Sequence, residues 1–204
     1  MVLCVLFGEN QQGVENAILA EQYAFAIAGT YYSALIPFYA SLCQLGIYSK
    51  QTAPSQQIIL DKVKQNQDKI RNWANYAPMN HLHKWYLVEA EQHRVLNNKV
   101  ESMEYYDKAI ALAQENGYIN EEALASELAA KFYLKWGKKL IAQTYIVKAY
   151  EAYQHWGAKA KVAHLILQHP QLLTSLQSKI PIRKSKDASS TIYLLLKQLV
   201  KVQE

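Results

Sequence analysis

The chain has 204 residues, of which 50% are hydrophobic and 19% charged, and its formal net charge is +5. That length holds one or two ordinary domains, or about five stacked helical hairpins, with enough apolar side chains for a substantial core. Four scattered Asp residues argue against carboxylate-rich metal chemistry. The spread of basic residues, broken only by Lys138-Lys139 and Arg183-Lys184-Ser185-Lys186, reads as a solvated basic face rather than a nucleic-acid footprint.

Taken in order, Met1 to Phe7 is apolar without a basic flank, and too short for a signal-peptide core or a membrane span. It reads as the last two turns of a hairpin helix whose beginning is missing, because Gly8 already occupies the turn. A capping repeat would present a polar outer face; the greasy start therefore predicts a fragment of something longer. Helices are predicted at about 13–28, 30–45, 55–76, 79–97, 99–116, 119–136, 138–156 and 158–168, with Gly and Pro marking the boundaries. Pro37 either kinks the second of these or delays its start. No stretch alternates apolar and polar residues long enough for a strand. In 119–136, Asn120 is the expected N-cap, Glu121 and Glu122 face the positive end of the dipole, and Leu124, Leu128, Phe132 and Trp136 form a stripe. The following helix answers with Ile141, Tyr145, Ala149, Ala152 and Trp156, and Gly117 and Gly157 end the two helices before their successors. The expected organisation is a helical-repeat domain over 1–178, a basic Ser-rich linker over 179–190, and a short amphipathic helical tail over 191–204.

The segment from Glu101 to Ala109 recurs 40 residues later, with Ala142, Ile146 and Ala149 in the places of Ser102, Tyr106 and Ala109. Gly13, Ala17 and Ala20 repeat the spacing near the N-terminus. A turn residue precedes each set (Gly8, Asn97, Gly137), and Ala90 and Ala130 lie in the helices before two of them. Small residues facing one another let antiparallel helices approach closely. The pattern predicts an all-α, tetratricopeptide-like right-handed superhelical solenoid of about eight helices plus a short C-terminal helix.

Two stretches carry a further likeness. Ala77-Pro78-Met79-Asn80-His81-Leu82-His83-Lys84 with Leu87 to Glu91 is one. The other is Tyr118 to Ala125 with Glu127 to Leu134, ending Trp156-Gly157-Ala158-Lys159-Ala160-Lys161-Val162. Over about residues 5–175 the chain resembles the helical-repeat region of very large bacterial hybrid signalling kinases. In that family a Ser/Thr kinase domain and a STAND-like AAA ATPase precede the repeats, and GAF and histidine kinase domains follow. The resemblance implies a regulatory, protein-binding connector whose catalytic residues lie elsewhere. The motifs of those modules are missing from this sequence. No Gly-Lys-Ser/Thr follows a glycine run, every Asp precedes Lys or Ala, and no His precedes Glu.

The functional expectation is a non-enzymatic scaffold or interaction module with no catalytic, cofactor or metal site, a detached or truncated piece of such a kinase. The alternatives are a non-functional remnant of a kinase gene and a weakly basic nucleic-acid-binding helical protein. The expected partner is a kinase or other signalling protein rather than nucleic acid or a membrane, and oligomeric state is not specified. Candidate groove residues on the first helices of the hairpins are Lys84, Tyr86, His93, Lys131 and Lys135. His81 and His83 are two residues apart, off the i, i+3 or i+4 spacing of a helical ligand pair, and read as capping and packing residues. Most aromatics fall on core spacing, and Glu89 and Glu91 are expected on the solvated flank rather than in a buried contact with Arg94 or Lys131. Cys4 and Cys43, without CxxC partners, read as free thiols in a reducing, cytoplasmic setting.

Overall fold

The computed structural model of this chain describes residues 1–27 and 29–173. Among them are nine α-helices and no strand: α1 (Val2–Phe7), α2 (Asn10–Gln22), α3 (Tyr31–Ile47), α4 (Ala53–Tyr76), α5 (Pro78–Val95), α6 (Lys99–Glu115), α7 (Ile119–Lys135), α8 (Lys139–Trp156) and α9 (Lys159–Gln168). Single 3₁₀ turns, Ala24–Ile27 and Tyr48–Lys50, follow α2 and α3. Residues 1–172 form one compact unit. The expected linker over 179–190 and tail helix over 191–204 lie outside the described residues.

The turns explain the order of the helices. Gly8, Asn97, Gly117, Gly137 and Gly157 all have positive φ, and the last four recur every twenty residues. At each one the chain makes the same pair of backbone bonds. Around Gly137, for example, Lys138 N–H donates to Tyr133 O and Gly137 N–H donates to Leu134 O, both at 2.9 Å. This left-handed stop satisfies carbonyls of the finished helix and starts the next one within three residues. It also fixes the N-caps. α7 begins from Tyr118, whose carbonyl accepts from Glu121 and Glu122, so Asn120 lies inside the first turn and is not the cap expected from sequence.

Consecutive helices pack on one another, most extensively α5 on α6 and α7 on α8. The small-residue positions lie at these contacts: Ala90, Ser102, Ala130, Ala142 and Ala149 are fully buried, and so are Ala109, Tyr106 and Ile146. Contacts also skip one helix at a constant offset. Tyr118 Oη donates to Asn80 Oδ1 at 2.8 Å, His83 meets Glu121, and Tyr145 donates to Asp107, each pair 38 residues apart. α5 is thereby tied to α7, and α6 to α8.

At the N-terminal end the approach is closer still. A Cβ on Gly13 would stand 2.3 Å from Cys43 Sγ, so α2 lies on α3 at a distance only glycine permits. α3 runs unbroken through Pro37, which excludes a delayed start. The Pro37 carbonyl accepts from Ser41 Oγ at 2.7 Å, and Ser41 Oγ accepts from Asn66 of α4 at 3.1 Å. α1 packs on α2, α3 and α9, and it buries Val5 and Leu6. The first and last helices of this unit are therefore neighbours.

Helix bounds fall within a few residues of the sequence reading except in α2, which spans Asn10–Gln22 rather than about 13–28. The stripe proposed for α8 is only partly the buried one. Ala149 and Ala152 of that stripe are buried, together with Ala142, Ile146, Tyr150 and Tyr153, whereas Ile141 and Trp156 are more than 40% exposed. The apolar face of an amphipathic helix follows the side its neighbours cover, and here that side is set by α7.

Candidate functional site

The five proposed groove residues do not share one surface. Lys84 is 1% exposed and cannot face a partner. Its Nζ lies 2.8 Å from Glu121 Oε2, donates to Asn80 O at 2.8 Å, and stands 4.4 Å from the centre of the Tyr118 ring. His83 donates to the same carboxylate oxygen and stacks on Tyr118 with centroids 4.5 Å apart. Helical spacing explains the burial: Lys84, Leu87, Val88 and Glu91 lie at i, i+3, i+4 and i+7, all inside. Burial pushes the Lys84 ammonium and the His83 imidazole down from their ordinary values. Burial alone would raise the Glu121 carboxyl, but the bond from His83 and the charge of Lys84 outweigh it and hold that carboxyl low.

A second buried network surrounds Glu127 of α7. It accepts from Lys161 of α9 at 2.8 Å, from Lys131 at 2.7 Å and from Tyr153 Oη of α8 at 2.8 Å. Lys161, 2% exposed, also donates to the Leu6 carbonyl of α1. The carboxylate thus joins α7, α8 and α9, and Lys161 extends the network to α1. Burial lowers Lys161, while Lys131 and Lys161 hold Glu127 below its ordinary value against its own desolvation.

The third network corrects the reading of Glu91 as solvated. Glu91 is buried, accepts from Arg94 Nε at 2.9 Å and from its terminal nitrogen at 2.7 Å, and accepts the Tyr106 hydroxyl. Glu89 is half-buried and accepts from Gln67 of α4 at 2.8 Å. The carboxylates Glu91, Glu121 and Glu127 are buried and paired across helices, while Glu121 Oε1 and His83 Nδ1 are buried without a hydrogen-bond partner among the described residues. These pairs position helices rather than present reactive groups.

The remaining proposed groove residues lie on two open surfaces. Along α5 and α6, half-buried Trp85, Tyr86, Tyr105 and His93 form a continuous row. Tyr86 and His93 stack on Tyr105 at 5.8 and 5.3 Å, Arg71 lies over Trp85, and Lys108 lies over both tyrosines. Lys131 and Lys135 belong instead to a pair of adjoining clefts. One, of about 280 Å³, is lined by Arg94, Asn97, Lys99, Phe132, Lys135 and Trp136. The other, of about 210 Å³, shares Arg94, Phe132 and Lys135 and is also lined by Lys131, Glu91, Val5 and Asn10. Among the described residues no three His, Cys, Asp or Glu side chains gather as metal ligands would, and no helix is long and apolar enough to cross a membrane.

No family model and no solved structure matches this chain. A 76-residue segment is 34% identical to hybrid signal transduction histidine kinase G of Dictyostelium discoideum. The match covers 37% of this chain and 2% of that protein. It relates the chain loosely to hybrid signalling kinases and is consistent with a segment derived from one.

Proposed function

We propose that this chain is a non-catalytic protein-interaction segment of the hybrid signalling-kinase type, built as a tetratricopeptide-like right-handed solenoid. The observation that carries the reading is the similarity to a hybrid histidine kinase over 37% of the chain. It is joined by helix turns that recur every twenty residues and contacts that recur at an offset of 38. A forty-residue hairpin is longer than the 34 residues of the standard tetratricopeptide unit, so the build is tetratricopeptide-like rather than standard. Stacked hairpins of this sort present extended surfaces to peptides and helices. The row of Trp85, Tyr86, Tyr105 and His93 supplies the flat aromatic contact area on which partners concentrate binding energy. In this reading the neighbouring modules of a signalling kinase are the partner, and the chain itself uses no cofactor.

The test is direct binding of the purified chain to purified sensor, kinase and receiver modules of hybrid histidine kinases from the same genome. Saturable binding to one module, weakened at least tenfold by Tyr86→Ala with His93→Ala, is the expected result. Failure to bind any module, or ATP turnover by the chain alone, would overturn the reading.

A further inference from the structure

Basic side chains gather near the C-terminal ends of α5 and α7 and the start of α6, and only some of them have an acidic partner. Arg94, Lys99, Lys131 and Lys135 line the two adjoining clefts. The nearby carboxylates are already committed: Glu91 to Arg94 and Tyr106, Glu127 to Lys131, Lys161 and Tyr153. Among the described residues, Lys99, Lys135 and Lys138 have no carboxylate within 4.0 Å. Lys99 and Lys138 instead both stand over the Trp136 ring, at 5.1 and 5.5 Å. An indole face holds one ammonium modestly. Two on the same ring, beside the unpaired Lys135, is an arrangement that an anion would relieve.

We propose that this cleft binds a phosphate monoester carrying a flat or apolar group, with the phosphate among Lys99, Lys135 and Arg94 and the organic group against Trp136 and Phe132. Surplus positive charge favours a dianion over a monoanion, and an Arg with two Lys is the donor set that phosphate oxygens prefer. The clefts, about 280 and 210 Å³ and sharing Arg94, Phe132 and Lys135 in their walls, are each smaller than usual small-ligand sites, roughly 300–1,000 Å³. A folded domain does not fit there. One phosphorylated group does. The proposal goes beyond the interaction-module reading and does not rest on it, because a small probe binds whether or not a signalling partner exists.

The experiment titrates the full chain at low salt with phenyl phosphate, inorganic phosphate and phenol, following heat and melting temperature. Phenyl phosphate is expected to bind saturably, at least tenfold more tightly than inorganic phosphate, and to raise the melting temperature. Phenol should show no measurable binding. Lys99→Gln with Lys135→Gln should reduce the phenyl phosphate affinity at least tenfold. Without ligand, this variant should melt no lower than the parent, since it relieves like-charge crowding. Trp136→Leu should weaken phenyl phosphate while leaving inorganic phosphate unchanged. Phenol binding as well as phenyl phosphate would overturn the proposal. So would inorganic phosphate matching phenyl phosphate, or the double variant binding unchanged. A phosphotyrosine in an otherwise neutral octapeptide separates the sources: tenfold tighter binding than phenyl phosphate assigns the group to a modified peptide, and equal or weaker binding assigns it to a free metabolite.

Discussion

Lys84→Met tests whether the interior charge network is built as described. In the folded chain Lys84 and Glu121 are both about 1% exposed and lie 2.8 Å apart. Removing one member of such a pair leaves the other charge buried, which destabilises by about 3–5 kcal/mol. His83 still donates to Glu121 after the substitution, so the expected loss is at the low end, about 3 kcal/mol. For a unit of this size that corresponds to a fall in melting temperature of roughly 6–12 °C, at about 2–4 °C per kcal/mol. Glu121→Gln should lose a similar amount, because the buried Lys84 ammonium would keep only neutral partners, among them the Asn80 carbonyl, the Tyr118 ring and His83 Nε2. The double variant removes both charges and leaves the new side-chain amide oxygen to accept from His83. It should fall well short of the summed single losses, with a coupling energy of about 1–3 kcal/mol. Urea unfolding followed by circular dichroism measures all four corners of the cycle. Strict additivity, or a Lys84→Met variant as stable as the parent, would refute the buried pair and return Lys84 to the surface position that the sequence suggested.

Other perturbations follow from the same packing. Gly13→Ala should destabilise by about 1–3 kcal/mol, because the new methyl would stand 2.3 Å from Cys43 Sγ; adding Cys43→Ala removes the colliding sulfur and should restore part of the loss in thermal unfolding. Ala109→Trp and Ala149→Trp, at positions 1% and 0% exposed, should each overpack a helix contact and lose about 1–3 kcal/mol or more, and unchanged melting in both would refute the register. Burial depresses His81, His83, His164 and His169, so as pH falls through the ordinary histidine range the unfolded chain takes up protons that the folded chain does not. Stability should therefore decline from about pH 7.5 to about 5.5. Glu122, raised by burial, acts in the opposite sense at the acid end of that range, and a melting temperature that is flat or rises on acidification would contradict the assignment. Burial pushes the Cys43 thiol up to about 12, so a thiol-specific chromogenic reagent should leave it unmodified in the native chain and label it only on unfolding.

The helix order was legible because two independent signals agreed. Apolar spacing gave the helices, and Gly8, Asn97, Gly117, Gly137 and Gly157 supplied the left-handed stops between them. The small-residue alignment over Ser102, Ala109, Ala142 and Ala149 identified positions that are inside. It also included Gly13 among the small residues of close helix approach, but not its contact with Cys43, since contact distance between two helices is a tertiary quantity that no local pattern carries.

The charged interior was misread for a different reason. A lysine or glutamate is taken as solvated because ionised groups avoid low-dielectric surroundings unless paired, and pairing across 38 or 34 residues leaves no local trace. Yet part of the signal was present. Lys84 sits three and four residues before Leu87 and Val88, Lys161 sits four before Leu165, and Glu127 sits three and four after Leu124 and Ala123, all on buried stripes. Stripe position outranks residue type when a partner of opposite charge lies on another stripe. By that logic Glu127 had to find cations, and the i+4 neighbour Lys131 supplies one of them. The other, Lys161, binds the carbonyl of Leu6 as well, so α1 is joined to α9 through a single buried ammonium group. Helical stripe geometry on separate elements therefore converges on the charges that fasten α1, α7 and α9 together, while Lys99 and Lys135, off those stripes, line an open cleft.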